Sequence, residues 1–146
     1  MNNITTVKLG TAGELLAKSL FLVNGFDVKT IDADDHGVDF EAEKNGINYK
    51  VQVKAITGKN YQYISKNKIE IDDKFIVCYI RYNKDIWPEV YIFPSTVWLN
   101  PNKAFVDKNY DKPGQNSKPE YGINYSKNTV DILKQYVADN FFNDRV

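Results

Sequence analysis

Asn45-Gly46, set between two runs in which apolar and polar residues alternate, constrains this chain more than any other pair of its residues. A type I′ turn needs positive φ at both central positions, and Asn-Gly supplies that at least cost. A two-residue loop also fixes the register. With Lys44 facing Ile47, Ala42 meets Tyr49, Phe40 meets Val51 and Val38 meets Val53, so one face of the hairpin is wholly apolar. On the other face Glu41 meets Lys50 and Asp39 meets Gln52. A slip of one residue would turn the apolar set into water. Opposite Cβ atoms lie about 4.5–5.5 Å apart and diagonal ones about 7–8 Å, which brings Lys54 within reach of the same patch. The solvated face of an edge hairpin would show the same alternation, with Glu41–Lys50 as a weak surface ion pair.

Charge is segregated along the chain. The formal net charge is zero, which argues against a generally basic nucleic-acid coat. Yet seven acids and one lysine lie between Asp27 and Glu43, and six lysines with no acid lie from Lys44 to Lys68. A neutral protein can thus present an acidic pocket beside a basic rim. Lys59, Tyr61, Tyr63, Lys66 and Lys68 interleave cations with aromatic rings. Lysines neutralise phosphates and tyrosines stack on exposed bases, so these five are the candidate nucleic-acid contacts; a solvated loop has the same composition.

A length of 146 residues suits one domain spanning 1–146. TAGELLAKSLFLVNGF reads as a helix ended by Asn24-Gly25, with a start that extends back toward Thr5 or Thr6. FDVKTI is a short strand, KFIVCYIRY a buried one, and EVYIFP another that stops at Pro94, with a Trp87-Pro88 turn between the last two. GKNYQYISKNK reads as a connection and residues 100–119 as a long surface loop, a candidate flap for substrate or a second copy. SKNTVDILKQYVADNFF regains helical periodicity, with Ser126 or Asn128 as its cap. The sum is a mixed α/β fold. The single cysteine, Cys78, lies in an apolar run and reads as a buried strand residue. No segment has the pattern of a membrane span or a signal peptide, so a cytoplasmic location is expected.

GELLAKSLFLVNGF, then GVDF, then QVK, taken in that order, resembles the PD-(D/E)xK nuclease superfamily, whose fold is restriction-endonuclease-like. There, a helix carrying a glutamate precedes an antiparallel hairpin that bears an aspartate on its first strand and (D/E)xK on its second. The resemblance places Glu14, Asp39, Gln52 and Lys54 at the four catalytic positions, with Glu14, Asp39 and Gln52 as metal ligands. Val38 replaces the motif's proline and Gln52 replaces a carboxylate. The QxK form looks like the branch containing certain homing endonucleases and several uncharacterised bacterial families.

What this implies is a DNA endonuclease dependent on Mg2+ or Mn2+, with RNA as the lesser substrate candidate. Magnesium takes one or two carboxylates among its oxygen ligands. Asp39 would give one and Glu14 a second if its helix packs on the hairpin, while Gln52 would give a neutral carbonyl oxygen. Lys54 would hold the attacking water or stabilise charge on the phosphate. One site per chain implies a homo-oligomer if both strands are cut. Two alternatives stay open: Thr11 and Glu14 fit a capping box, and Gln52 suits a nuclease-derived module that binds nucleic acid or protein without cutting. No glycine-rich phosphate loop or nucleophile elbow supports a small-molecule enzyme. Asp32, Asp34, Gly37 and Glu43 imitate a calcium loop, but a strand follows where that motif needs a helix. His36, the sole histidine, has no zinc partner and is at most peripheral.

Overall fold

The computed structural model describes residues 4–31 and 37–146. His36, Asp32 and Asp34 lie outside them. The first helix, α1 (Thr6–Val23), begins one residue after Thr5, whose hydroxyl accepts from the Lys8 N–H at 3.2 Å. It ends in a Schellman motif: Phe26 N–H reaches the Phe21 carbonyl at 3.0 Å and Gly25 N–H reaches Leu22 at 3.0 Å, with Gly25 at φ +87°. The helix therefore starts earlier than its apolar pattern. Thr11 sits inside it, donating to the Val7 carbonyl at 3.0 Å, and the capping box with Glu14 does not form.

Strands β1 (Asp27–Thr30), β2 (Phe40–Lys44) and β3 (Ile47–Thr57) follow. The β2–β3 turn has Asn45 at φ 55° and Gly46 at φ 78°, and its register runs from Lys44↔Ile47 to Phe40↔Val51, as the turn chemistry predicts. The ladder then stops. The expected pairing of Asp39 with Gln52 and of Val38 with Val53 is not made; Asp39 N–H bonds the Val51 carbonyl instead, at 2.9 Å.

From β3 the chain leaves the sheet as β4 (Tyr61–Ser65) and a 3-10 turn, Lys66–Lys68, before returning as β5 (Phe75–Tyr82) parallel to β3. A parallel neighbour requires such a crossover. The segment read as a plain connection is thus partly a strand. β6 (Glu89–Pro94) pairs antiparallel with β5, giving a five-stranded sheet in the order β1-β2-β3-β5-β6. After the 3-10 turn Ser95–Leu99 come β7 (Phe105–Lys108) and β8 (Glu120–Asn124). β7 corrects the reading of 100–119 as unbroken loop: Ala104 and Phe105 are buried and anchor a hairpin. β4, β8 and β7 form a second, three-stranded sheet.

The C-terminal stretch is helical but broken, into α2 (Val130–Leu133), a 3-10 turn and α3 (Ala138–Asn143). Val137 interrupts it because its backbone bridges to Tyr91 on the edge strand β6. Neither predicted cap is used: the residue before α2 is Thr129, whose hydroxyl bonds the Asn124 carbonyl at 2.8 Å.

Two cores flank the five-stranded sheet. Phe21, Phe40, Val51, Cys78, Phe141 and Phe142 fill the side under α1 and α3. Ile64, Tyr79, Phe93, Trp98, Phe105 and Ile123 fill the side under the small sheet. Each fully buried side chain contributes about 1.5–3 kcal/mol. β5 is buried on both faces, as a continuous apolar strand requires. Burial pushes the Cys78 thiol up to about 12. No helix among the described residues is long and apolar enough to cross a membrane.

Candidate functional site

The site lies where β2 parts from β3. β2 ends its pairing at Phe40↔Val51, so residues 52–57 of β3 pair on one side only, with β5. α1 stands against this open edge on one face and β4 on the other.

Gly13 sets the approach of the helix. Its backbone packs so tightly on β3 that an added Cβ would lie 2.7 Å from the Ala55 Cβ. With Gly13 and Ala17 turned to the sheet, the next residue, Glu14, falls at the rim of the contact. It lines a cleft of about 280 Å³ together with Asp39, Val53, Thr6, Gly10, Val7 and Thr11. Lys18, one turn along, bonds the Glu14 Oε1 at 2.9 Å and the Thr30 hydroxyl at 3.1 Å.

Gly37 sets the approach of Asp39. It has φ +76°, and a side chain there would overlap the Lys68 carbonyl oxygen, so only glycine lets the chain pass. Two residues on, Asp39 is clasped to β3: its N–H bonds the Val51 carbonyl and its Oδ2 accepts the Val53 N–H at 2.7 Å. The carboxylate takes the place of a strand carbonyl at the point where the ladder ends, and a hydrogen bond to a charged group contributes about 1.5–3 kcal/mol.

Gln52 and Lys54 alternate with Val53 and project from the other face of β3. Gln52 is 4% exposed and its Oε1 has no hydrogen-bond partner among the described residues. It sits next to Gly37 and does not line the acid cleft. Lys54 lines a larger groove of about 640 Å³ with Lys59, Tyr61, Tyr63, Lys68 and the start of α1. Thr6 borders both depressions, so acid cleft and lysine groove are neighbours at the start of α1.

The structure thus brings Glu14 and Asp39 together, and gathers Lys54 with four of the five basic and aromatic candidates; Asp39, Gln52 and Lys54 do not share the one patch expected of the hairpin, because the ladder ends at Phe40↔Val51. Lys66 stands apart. It is tied to Asp107 and Asn109 and lies 4.7 Å from the centroid of the Tyr121 ring. Tyr61 is held in place: its hydroxyl donates to Glu120 at 2.5 Å and Lys108 lies 4.3 Å over its ring. Burial and the Glu120 carboxylate raise its pKa. The ring crosses Gly122, where any Cβ would overlap it. Tyr63 is 56% exposed. Lys50 pairs with Glu70 at 3.5 Å rather than with Glu41. Sequence reasoning missed Thr6, Gly10 and Val53 because the cleft depends on how α1 docks.

Among the described residues no three His, Cys, Asp or Glu side chains gather into a metal-binding cluster. The oxygen donors in the acid cleft are the Glu14 and Asp39 carboxylates, while the Gln52 oxygen lies outside it. All are hard ligands of the kind Mg2+ and Mn2+ take.

No protein-family model matches the chain, and no curated protein matches it in sequence. Solved structures do. A Holliday junction resolvase, Hjc, from the archaeal hyperthermophile Archaeoglobus fulgidus aligns over 92% of this chain and 95% of its own, with a TM-score of 0.55 at 10% identity. A bacterial homing endonuclease aligns over 94% of this chain and 85% of its own, with a TM-score of 0.48 at 15% identity. The architecture is the mixed α/β fold of restriction-endonuclease-like nucleases such as Hjc.

Proposed function

We propose that this chain is a divalent-metal-dependent endonuclease that hydrolyses DNA phosphodiester bonds at the open edge of β3. The observation that carries the reading is the adjacency, at Thr6, of the Glu14–Asp39 cleft and a groove lined by Lys54, Lys59 and Lys68. The fold shared with the resolvase supports it. Asp39, oriented by the Val53 N–H, and Glu14 would hold Mg2+ or Mn2+. When bound, such an ion neutralises a phosphate and lowers the pKa of a bound water. Lys54 carries the positive charge that meets the phosphate as charge develops on it. Lys59 and Lys68 neutralise flanking phosphates, and Tyr63 offers a stacking face.

Asp39→Ala and Lys54→Ala should each lower Mn2+-dependent cleavage of plasmid DNA by roughly 10²-fold or more. Undiminished cutting by both purified variants would dismiss the proposal. RNA is the competing substrate and is distinguished in the same assay. Since each chain carries one such edge, cutting of both strands calls for two copies, which sedimentation of the active species would reveal.

A second reading has its own support. Lys18 already engages Glu14 and an amide stands where a third carboxylate would be, as suits a nuclease-derived module that binds nucleic acid or a protein partner without cutting. Calorimetry separates the two: Mn2+ binding that Asp39→Asn abolishes favours the enzyme, whereas DNA binding with no Mn2+ uptake favours the module.

A further inference from the structure

The β5–β6 turn carries the most exposed aromatic ring of the described residues. Trp87 is 91% exposed and its neighbour Ile86 63%, whereas the other tryptophan, Trp98, is 3% exposed within the core. Tryptophan is among the most buried side chains on average, and two adjacent large apolar residues in water are not an incidental surface feature. The turn that presents them is braced. Asn83 Nδ2 donates to Glu89 Oε2 at 2.9 Å across its neck, Asp85 takes φ 61°, and Pro88 restricts the chain beside the indole.

The position of this tip matters. β3 and β5 run parallel with Thr57 opposite Tyr82, so the β3–β4 turn and the β5–β6 turn leave the sheet at the same end. They are joined there. The Thr57 hydroxyl donates to the Tyr82 carbonyl at 3.0 Å, and the Arg81 guanidinium donates to the Lys59 carbonyl at 3.0 Å. Lys59 lines the lysine groove. A strand tracking the groove by its phosphates would therefore arrive, past Lys59, at the turn that carries the indole.

We infer that Ile86-Trp87 is a base-stacking wedge, and that the DNA acted on at this edge carries an unpaired or unstacked base, as at a gap or branch, rather than being uniformly paired duplex. The inference rests on the proposed DNA-cleaving role and deepens it. An indole offers every base a π-face, so it reads exposure of a base and not its identity. Apolar side chains inserted at a base step act in the same way, unstacking costing least where pairing is already absent. The groove supplies the cations that a wedge alone lacks.

Trp87 is also its own reporter, since Trp98 is shielded. In the absence of divalent metal, the full chain is titrated with a paired oligonucleotide duplex and with the same duplex carrying a single-stranded gap, and iodide quenching of tryptophan emission is followed. Gapped DNA should protect the emission from iodide, paired duplex much less. Trp87→Ala should bind gapped DNA roughly tenfold more weakly, within the range of one lost base–aromatic stack, and paired DNA about equally; retained Trp98 emission certifies its fold. An emission still open to iodide at saturating gapped DNA, or an unchanged preference in Trp87→Ala, overturns the inference while leaving the nuclease reading intact. Absence of binding to either DNA defeats both. A concentration-dependent dimer that Trp87→Ala dissolves would assign the tip to a second copy of the chain and overturn the wedge as well.

Discussion

Two polar clusters border the central sheet, and they differ in how completely their oxygens are satisfied. At the β5–β6 end Glu89 accepts from the Tyr91 hydroxyl at 2.8 Å, the Tyr125 hydroxyl at 2.9 Å and Asn83 at 2.9 Å. Arg81, stacked 3.7 Å from the centroid of the Tyr125 ring, adds its charge. At the β3 edge Gln52 holds a buried oxygen with no donor among the described residues. A saturated carboxylate braces a fold; a buried oxygen left without a donor costs about 1–3 kcal/mol. The Arg81 Nε of the first cluster is likewise buried without a partner among the described residues, so the contrast lies between the two oxygens, that of Glu89 braced and that of Gln52 unmet.

The largest effect expected falls on the glycine that makes the second region possible. Gly37→Ala combines a left-handed backbone with overlap on the Lys68 carbonyl. Strain of this kind costs about 1–3 kcal/mol before the clash is counted, so urea denaturation should show a loss of several kcal/mol. An unaffected midpoint would mean that the chain reaches Asp39 by another path. Next comes Gln52→Leu. Removing an oxygen that has no partner among the described residues should raise stability by about 1–2 kcal/mol. Lowered stability would show that the amide is structurally satisfied and erase the contrast with Glu89.

Glu89 sharpens the comparison through pH. Burial opposes its ionisation, but hydrogen bonds from Tyr91, Tyr125 and Asn83 and the Arg81 charge prevail, so its carboxyl lies below the ordinary carboxylate range. A depressed folded-state pKa adds stability above the unfolded value near 4.5, and that stability fades as pH falls through the folded value. Wild type should therefore lose stability between about pH 5 and the folded pKa more steeply than Glu89→Gln. Parallel acid-denaturation curves for the two proteins would show that the cluster does not act as a brace.

How much of this was legible follows the same divide. Turn chemistry at Asn45-Gly46 determined five strand pairs, because two positive-φ positions leave one register. The end of that ladder was hidden, since alternation continues through Val38 and only Gly37 hints that the chain turns away. β4 and β7 were missed because YQYIS and FVDK are short and flanked by Lys, Asn and Pro; a strand that gains its stability from the face of another sheet need not announce itself locally. The break at Val137 has no proline or glycine to signal it, and comes from pairing with Tyr91. Glu14 and Asp39 were placed together by resemblance, and what unites them is the Gly13–Ala55 contact, which no spacing along the chain encodes.

The smallest effect tests the bland account of the hairpin's polar face. Lys50 is directly opposite Glu41 in the ladder yet its amine lies 3.5 Å from Glu70, with both side chains about half exposed. An exposed pair at that distance is screened by water and salt, and holding two long side chains in one geometry costs entropy. Lys50→Ala should change stability by no more than about 0.5 kcal/mol and leave DNA cleavage unaltered, because Lys50 lines neither the acid cleft nor the lysine groove. Lys54→Ala, four residues along the same strand and on the same face, should instead lower cleavage by roughly 10²-fold or more. If the two lysines behaved alike in cleavage, the open edge would have no privileged position on β3, and the line drawn between scaffold and site would have to move.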